Sequence, residues 1–449
     1  MIDPAKENRA IRRYPDGGLN ESVVLRHPNN IEAQKPGKKI GKAGNFQTNK
    51  LQNTRSNPPN DGGKALRILH CPTAVGGHPQ DLCRLERLAG LESRSVVFGD
   101  PPFGYQADEI VPRGGWNFWS SEWRRWTLLR EALRDFDVIH FNFGSTLMPH
   151  PDRMLFRQPN VVKRGLKWIY NAYASLFELR DLPILKKAGK VIAVTWQGDD
   201  ARQWDYCREH FRFTHATEME PVYLRKAQDN GVRKRIAAFS RYADIIYALN
   251  PDLMHVLPER TQFFPYAHPN LNEWQFCGIE ANSTRPLRVV HAPSNPLVKG
   301  TRFIEEAVAT LRSEGIAFEY IKVEGMPNAE ARRVYETADI LIDQLLAGWY
   351  GGLSGELMAL GKPVICYIRQ EDLRFLPATM ADDLPIINAD PLTITSVLRG
   401  VLSMPRTELE QIGRRSRAFM ERWHQPEEIC RRVKADYESA MRRAKAVSA

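Results

Sequence analysis

Two segments in the second half of the chain contain residues suited to binding a phosphorylated ligand. In HAPSNPLVKG, residues 291–300, Lys299 lies between the end of a predicted strand and the start of a predicted helix. An ammonium group at that position is suited to neutralising a diphosphate. Considered alone, however, a lysine in a loop is more often simply exposed to solvent. In GWYGGLSGELMALGKP, residues 348–363, glycines open a predicted helix whose N–H groups and dipole favour a phosphate.

Glu356 is the acidic residue of the second segment, and two interpretations of it remain open. Ser354 is a predicted N-cap, which places Glu356 in the first turn of the helix. The helix dipole favours an acid in that turn. Helix stabilisation therefore explains Glu356 as well as ligand binding does.

Polar residues in the first half of the chain also follow predicted strands. The turn GGHP, residues 76–79, comes after the first strand, and QGDD, residues 197–200, ends a later one. Ligands of open parallel sheets bind outside the carboxyl ends of the strands. Asp199 and Asp200 are therefore candidates for hydrogen bonds with hydroxyl groups of a ligand, and a polar turn that caps the next helix explains them equally well.

The elements that would position these loops are short apolar runs that alternate with amphipathic helices. LRILHC, residues 66–71, predicts the first strand of one cycle, and LRVVH, residues 287–291, predicts the first strand of a second cycle. In the helix that follows, apolar residues recur at helical spacing, at positions 304, 307, 308 and 311. The pattern predicts two doubly wound α/β domains with parallel sheets, facing each other across a cleft.

Length and composition agree with two globular domains and a basic leader. The chain of 449 residues exceeds the roughly 250–300 residues at which single cores stop growing. The first 65 residues hold twelve Lys or Arg against six Asp or Glu and few apolar residues, so we expect a disordered leader. The predicted segments are the leader 1–64, the N-terminal domain 65–270, a connection 271–286, the C-terminal domain 287–425, and a helix 426–449 that packs toward the N-terminal domain.

Several other classes of protein are not favoured by the sequence. The six cysteines are scattered singly, which favours a reducing cytoplasm over a disulfide scaffold. No apolar run reaches the roughly 18 residues that a membrane span needs, and we identify no export signal and no nucleic-acid motif. The histidines and acids show no paired metal-ligand spacing, so we expect neither a metal nor another cofactor.

Three segments resemble the C-terminal domain of the family 4 retaining glycosyltransferases. They are Lys299-Gly300-Thr301, EGMPN at residues 324–328, and GGLSGELMALGKPV at residues 351–364, in that order. The resemblance extends over about residues 66–440 and is strongest in these segments. It implies a GT-B fold, with two Rossmann-like domains around a cleft, and a UDP-, GDP- or ADP-sugar as the donor.

The resemblance also implies roles for individual residues. Lys299 would contact the donor diphosphate and Glu356 the donor ribose, and we predict both as catalytic residues. The predicted donor-binding residues are Ser294, Lys299, Gly300, Glu324, Gly351, Gly352, Leu353, Ser354, Glu356 and Gly77. The candidates on the acceptor side are Gly76, His78, Gln197, Asp199 and Asp200.

Three positions depart from the pattern of the family. Gly348 stands where the family usually has a glutamate that contacts the transferred sugar, and Asp343 lies too early to replace it. Pro293 and Ser294 occupy the place of a glycine–arginine pair, and Gln197 stands where a histidine is common. These departures leave the identity of the donor sugar open.

Three functions are compatible with these residues. The first is a glycosyltransferase that moves a sugar, with retention, to a hydroxyl of a glycan or lipid-linked acceptor, as in polysaccharide biosynthesis. The second is a nucleotide-sugar epimerase or a phosphorylase of the same fold. The third is a non-catalytic protein that binds a sugar nucleotide, since a fold does not determine a function.

Two stretches rich in aromatic and basic residues start at Trp116 and Val161. Both could form amphipathic helices that rest on the anionic inner face of a membrane. Ordinary core and rim positions are the preferred interpretation of the same spacing. A membrane contact would suit a lipid-linked acceptor.

Overall fold

The structure of the protein is a computed structural model. The structure describes residues 23–25, 65–99, 106–112, 118–151, 161–218 and 222–448. The predicted disordered leader therefore lies outside the described residues except for one strand, β1 (Val23–Leu25). This strand pairs in parallel with residues 321–323 of the second sheet.

The apolar runs of the first half form a seven-stranded sheet in which every neighbouring pair is parallel. Its strands are β2 (Arg67–Cys71), β3 (Glu92–Phe98), β4 (Glu109–Val111), β5 (Val138–Asn142), β6 (Val191–Trp196), β7 (Ile245–Ala248) and β8 (Gln262–Phe263), in the spatial order β4-β3-β2-β5-β6-β7-β8. Every residue of β5 and β6 is buried, as expected for central strands covered on both faces. The covering helices are α1 (His78–Leu88), α2 (Phe118–Asp135), α3 (Val161–Phe177), α4 (Asp181–Lys187), α5 (Trp204–His210) and α6 (Val222–Tyr242).

The second half forms a parallel sheet of its own. Its strands are β9 (Leu287–His291), β10 (Phe318–Val323), β11 (Ile340–Ile342), β12 (Val364–Cys366) and β13 (Ile387–Asn388), and with β1 the order is β1-β10-β9-β11-β12-β13. The helices are α7 (Pro296–Lys299), α8 (Thr301–Ser313), α9 (Asn328–Thr337), α10 (Gly352–Ala359), α11 (Ala378–Asp383), α12 (Ile394–Leu402), α13 (Arg406–Trp423) and α14 (Pro426–Ser448). Short 3-10 helices span His215–Thr217, Pro251–His255 and Gln370–Phe375.

The periodicity seen in the sequence matches the packing of α8. The four apolar positions 304, 307, 308 and 311 are all buried against the second sheet. The predicted fold class, two doubly wound domains with parallel sheets, is confirmed.

The chain passes between the two domains twice. The first crossing runs from β8 to β9, and the second leads from α13 into α14, which packs on the N-terminal domain. There Tyr437 Oη lies 2.5 Å from Nδ1 of His140 in β5, and Tyr247 Oη donates to Asp436 at 2.6 Å. The segments that follow β2, β8 and β11 meet between the two domains, where His268 contacts both Asp81 and Glu356, and we call this region the cleft.

Among the helices that the structure describes, none combines the length and the apolar character needed to cross a membrane.

Candidate functional site

The start of α10 is tied to the end of β11 by Asp343. The N–H of the N-cap residue Gly351 and the hydroxyl of Ser354 both donate to Oδ2 of Asp343, at 3.2 and 2.6 Å. Ser354 is therefore not the N-cap, and the sequence prediction is wrong at this point. The helix begins three residues earlier because a buried carboxylate from the neighbouring strand end accepts its first hydrogen bonds. Glu356 consequently lies beyond the first turn, where the helix dipole explains it less well.

Lys299 ends the short helix α7, and its ammonium group pairs with Asp343. Nζ lies 2.6 Å from Oδ1 of Asp343, and a Cβ added at Gly351 would lie 3.5 Å from the same Nζ. Burial alone would raise the pKa of Asp343, but the charge of Lys299 and the hydrogen bonds it receives hold that pKa below its usual value. Gly300, with a φ of 73°, then turns the chain directly into α8. The result is a fixed cation beside the N-terminus of α10.

Glu356 is held from the opposite side of the cleft by His268. Nε2 of His268 lies 2.9 Å from Oε1 of Glu356, and Nδ1 lies 2.8 Å from Oδ2 of Asp81 in α1. Burial would lower the pKa of His268, but the hydrogen bonds and charges of the two carboxylates outweigh it and raise the pKa to about 9. At neutral pH the imidazole is protonated and donates to one carboxylate from each domain. We call these three residues the His268 bridge.

Gly76 and Gly77 form the turn that starts α1, one helical turn before Asp81. Both have positive φ, 67° and 72°, and Gly77 is the N-cap of the helix. On the other side of the bridge, a Cβ added at Gly352 would lie 4.0 Å from the ring of His268. The bridge therefore brings two glycine-rich helix starts, one from each domain, to the same cleft.

His78 has a different position from its glycine neighbours. Its side chain is fully buried, and Nδ1 accepts the N–H of Ala267 at 3.0 Å. Burial lowers the pKa of His78 to about 3, so the ring is neutral. It supports the backbone immediately before His268 and does not reach solvent.

The other acceptor-side candidates surround the end of β6. Oε1 of Gln197 lies 3.9 Å from the position of a Cβ at Gly76, so two loops of the N-terminal domain meet there. Asp200 is buried and accepts the N–H of Gln197 at 3.0 Å, and burial raises its pKa to about 6. Asp199 is more exposed, and its Oδ1 lies 3.2 Å from Nε2 of His215. Asp200 thus caps the turn, while Asp199 presents a carboxylate at the surface.

Arg369 occupies the space beside Gly348. Gly348 has a φ of 77°, and a Cβ added there would lie 2.7 Å from both Cζ and Nη1 of Arg369. The guanidinium group donates to Asp372 at 2.8 Å and lies 3.5 Å from the ring centroid of Phe211 in the N-terminal domain. The family resemblance implies a glutamate at position 348. In this chain the position is Gly348, and the guanidinium group of Arg369, paired with Asp372, fills the adjacent space.

The remaining donor-side candidates follow neighbouring strands of the second sheet. Ser294 is exposed after β9, Glu324 is partly exposed after β10, and Leu353 is partly buried after β11. Because β10, β9 and β11 are adjacent and parallel, these residues and Lys299 lie along one edge of the sheet. Glu324 pairs with Lys322 at 3.3 Å.

The site as a whole is suited to a ligand with a diphosphate and hydroxyl groups. The N–H groups of Gly352 and Leu353 open α10 and have no acceptor within the helix. These free N–H groups favour phosphate oxygens. Lys299 and protonated His268 lie beside them, Lys299 paired with Asp343 and His268 with Asp81 and Glu356. Within the described part of the chain, no group of three or more His, Cys, Asp or Glu side chains is arranged to hold a metal ion.

Comparisons with known proteins relate the chain to solved structures. No protein-family model matches it, and no curated protein matches its sequence. Sucrose-phosphate synthase from Thermosynechococcus elongatus superposes with a TM-score of 0.50 at 13% identity, over 84% of this chain and 99% of that one. An α-glucosyltransferase solved with UDP and a 13-mer DNA has a TM-score of 0.49 at 12% identity, covering 83% and 99%. HepE of Anabaena in complex with UDP has the same TM-score at 11% identity, covering 83% and 100%. At these identities the likeness concerns the fold, which is that of the GT-B glycosyltransferases.

Proposed function

We propose that the protein is a glycosyltransferase that moves a sugar from a nucleotide-sugar donor to a hydroxyl of a glycan or lipid-linked acceptor. One observation carries the proposal. Lys299, the N-terminus of α10 and Glu356 lie together at one edge of the second sheet and face the glycine turn of the first domain across the His268 bridge. The GT-B fold and the order of these residues in the chain support the same conclusion.

The donor diphosphate fits the start of α10. The N–H groups of Gly352 and Leu353 would donate to its oxygens. Lys299 would stay paired with Asp343 and present its charge to the phosphate next to the bond that breaks, since its Nζ already lies beside the start of α10. Charge that develops on the departing diphosphate then meets donors that are already oriented, which is the usual source of several kcal/mol of transition-state stabilisation.

The donor ribose fits Glu356. His268 engages Oε1 of this carboxylate, so we assign Oε2 to the ribose hydroxyl groups. The bridge orients the carboxylate before the donor binds, which reduces the ordering that binding requires.

The acceptor hydroxyl would approach from the side of Gly76, Gln197 and Asp199. Retention of the anomeric configuration is part of the proposal through the family resemblance.

Nucleotide binding tests the donor site. Calorimetry with UDP, GDP and ADP should give specific binding of at least one nucleotide to the intact protein. Glu356→Gln and Lys299→Met should each weaken it by at least about tenfold, the loss of one charge-assisted hydrogen bond. Glu371→Gln, at an exposed acid away from these contacts, is the matched control and should bind as the intact protein does. Failure of all three nucleotides to bind would contradict the proposal.

Turnover separates the transferase from the other functions compatible with the sequence. The arginine beside Gly348, in place of a carboxylate, disfavours an epimerase, which needs acids at the anomeric region. The same replacement favours a non-catalytic sugar-nucleotide-binding protein over an epimerase. Release of the nucleoside diphosphate that depends on an added acceptor indicates a transferase, whereas binding without any release indicates the binding protein.

A further inference from the structure

The N-terminal domain exposes a cluster of large apolar side chains. Among the described residues thirteen such side chains are between 37% and 79% exposed, and eight of them lie on α2, α3 and α4. They are Trp119, Trp123, Trp126, Leu166, Trp168, Ile169, Leu176 and Ile184. The sequence favours core and rim positions for these residues, and the structure contradicts that for Trp119 and Trp123, which are 79% and 73% exposed. We call this cluster the aromatic face.

The aromatic face is continuous because α2 and α3 pack side by side. Nε1 of Trp126 donates to Oη of Tyr173 at 3.0 Å, and the rings of Trp126 and Phe177 lie 5.0 Å apart, edge to face. On α2 the tryptophans recur after four and three residues, which places them in one stripe along the helix. On α3 the exposed apolar residues flank the positions that contact α2. Large apolar side chains exposed side by side in this way mark an interaction site.

The charges around the aromatic face are basic. Helix α3 contains no acidic residue. The acids of α2 are each paired with an arginine: Glu122 with Arg125, Glu131 with Arg124, and Asp135 with Arg134. Exposed basic residues flank the face at Arg130, Arg164, Arg180 and Lys187. The surface therefore combines exposed tryptophans with an electropositive rim.

A groove opens beside the face. A cavity of about 350 Å³ lies between α2, α3 and α4, and its lining includes Trp126, Leu176, Phe177 and Ile184. Arg180 also lines this cavity. An apolar volume of this size next to a basic side chain suits a hydrocarbon chain that carries an anionic head group.

We propose that the aromatic face docks the protein on an anionic lipid bilayer. Tryptophan prefers the boundary between hydrocarbon and water, and basic residues around apolar ones are attracted to anionic head groups. A second copy of the chain is a poorer occupant, since a two-fold interface through this face would bring the basic rims together. The proposal uses no residue of the donor site and does not depend on the function proposed above.

Vesicle flotation tests this docking. The full chain should float with vesicles of equimolar phosphatidylcholine and phosphatidylglycerol and should bind phosphatidylcholine alone much more weakly, and added salt should reduce binding to the mixed vesicles. The double variant Trp123→Glu and Ile169→Glu should lower the partition coefficient by at least about tenfold for each side chain. The control variant Leu88→Glu and Leu392→Glu adds the same charge at two exposed residues outside the face and should leave flotation unchanged.

Three outcomes would overturn the proposal. One is that the intact protein fails to float with the mixed vesicles. Another is that the two double variants float equally. A third is that the intact protein forms a dimer that the Trp123 and Ile169 variant breaks, which would assign the face to a second copy. Nucleotide binding should be equal in the intact protein and in both double variants. Measured on the same preparations, it reports on the donor site independently of membrane docking.

Discussion

The His268 bridge makes a quantitative prediction about stability. The pKa of His268 rises from its ordinary 6.5 to about 9 when the chain folds, because the carboxylates of Asp81 and Glu356 outweigh the effect of burial. A difference of one in pKa corresponds to about 1.4 kcal/mol, so the protonated bridge contributes about 3 kcal/mol to the free energy of unfolding. The folded-state pKa is raised, so this contribution is fully present below about pH 6.5 and is lost as the pH rises through about 9.

The neighbouring histidines do not obscure this pH window. Burial lowers the pKa of His78 to about 3 and that of His424 to about 4, so both rings stay neutral from pH 6 upward. The pH dependence in the window between about pH 6.5 and 9 is therefore assigned to His268 among the buried imidazoles around the bridge.

The perturbation is His268→Gln, which keeps a polar side chain and removes the charge. Denaturant unfolding measured at a series of pH values should show the variant destabilised by about 2–3 kcal/mol near neutral pH, because buried Glu356 and partly exposed Asp81 lose their shared cation. The difference from the intact protein should shrink as the pH passes about 9. His210→Gln, at an exposed histidine of α5, is the control and should keep the pH dependence of the intact protein. If His268→Gln keeps the same pH dependence, the assignment of the proton to this bridge is refuted.

Two further predictions concern the donor side of the cleft. Lys299→Met should cost about 3 kcal/mol or more in denaturant unfolding, because it leaves the buried Asp343 unpaired, and adding Asp343→Asn should recover most of that loss without restoring nucleotide binding in calorimetry. Gly348→Ala should destabilise the protein more than Gly315→Ala, since both glycines have positive φ but only Gly348 has the guanidinium of Arg369 within 2.7 Å of an added Cβ. Thermal unfolding of the two variants measures the difference, and equal losses would contradict the steric argument.

Local patterns predicted most of the architecture. The apolar runs at residues 66–71 and 287–291 match β2 and β9, and the helical spacing in α8 matches its buried face. These features follow from periodicity within a few residues, which is why a single sequence reveals them. The order of lysine, acidic loop and glycine-rich helix likewise points to the strand edge where these residues lie.

Predictions failed where a distant group decided the local structure. Ser354 is not an N-cap because Asp343, eleven residues away, accepts hydrogen bonds from its hydroxyl group and from the N–H of Gly351 at the start of the helix. The sequence shows that Gly348 departs from the family pattern, but nothing near it in sequence indicates that Arg369 fills the adjacent space. The prediction that the tryptophans of α2 lie in core and rim positions is wrong for Trp119 and Trp123 for a related reason. Helical spacing shows that residues share one face of a helix, but it does not show whether another element covers that face.

The sequence alone predicts the two α/β domains, the segments after β9 and β11 that contain Lys299 and Glu356, and the amphipathic character of α2 and α3. The contacts of His268 with Glu356 and with Asp81 depend on the three-dimensional fold, since these pairs are separated by 88 and 187 positions in the chain. Hydrogen bonds act over about 3 Å, and only the folding of two domains onto one cleft brings such distant residues within that range. His268 is protonated because the fold brings Asp81 and Glu356 into contact with its imidazole ring, and these two carboxylates raise its pKa.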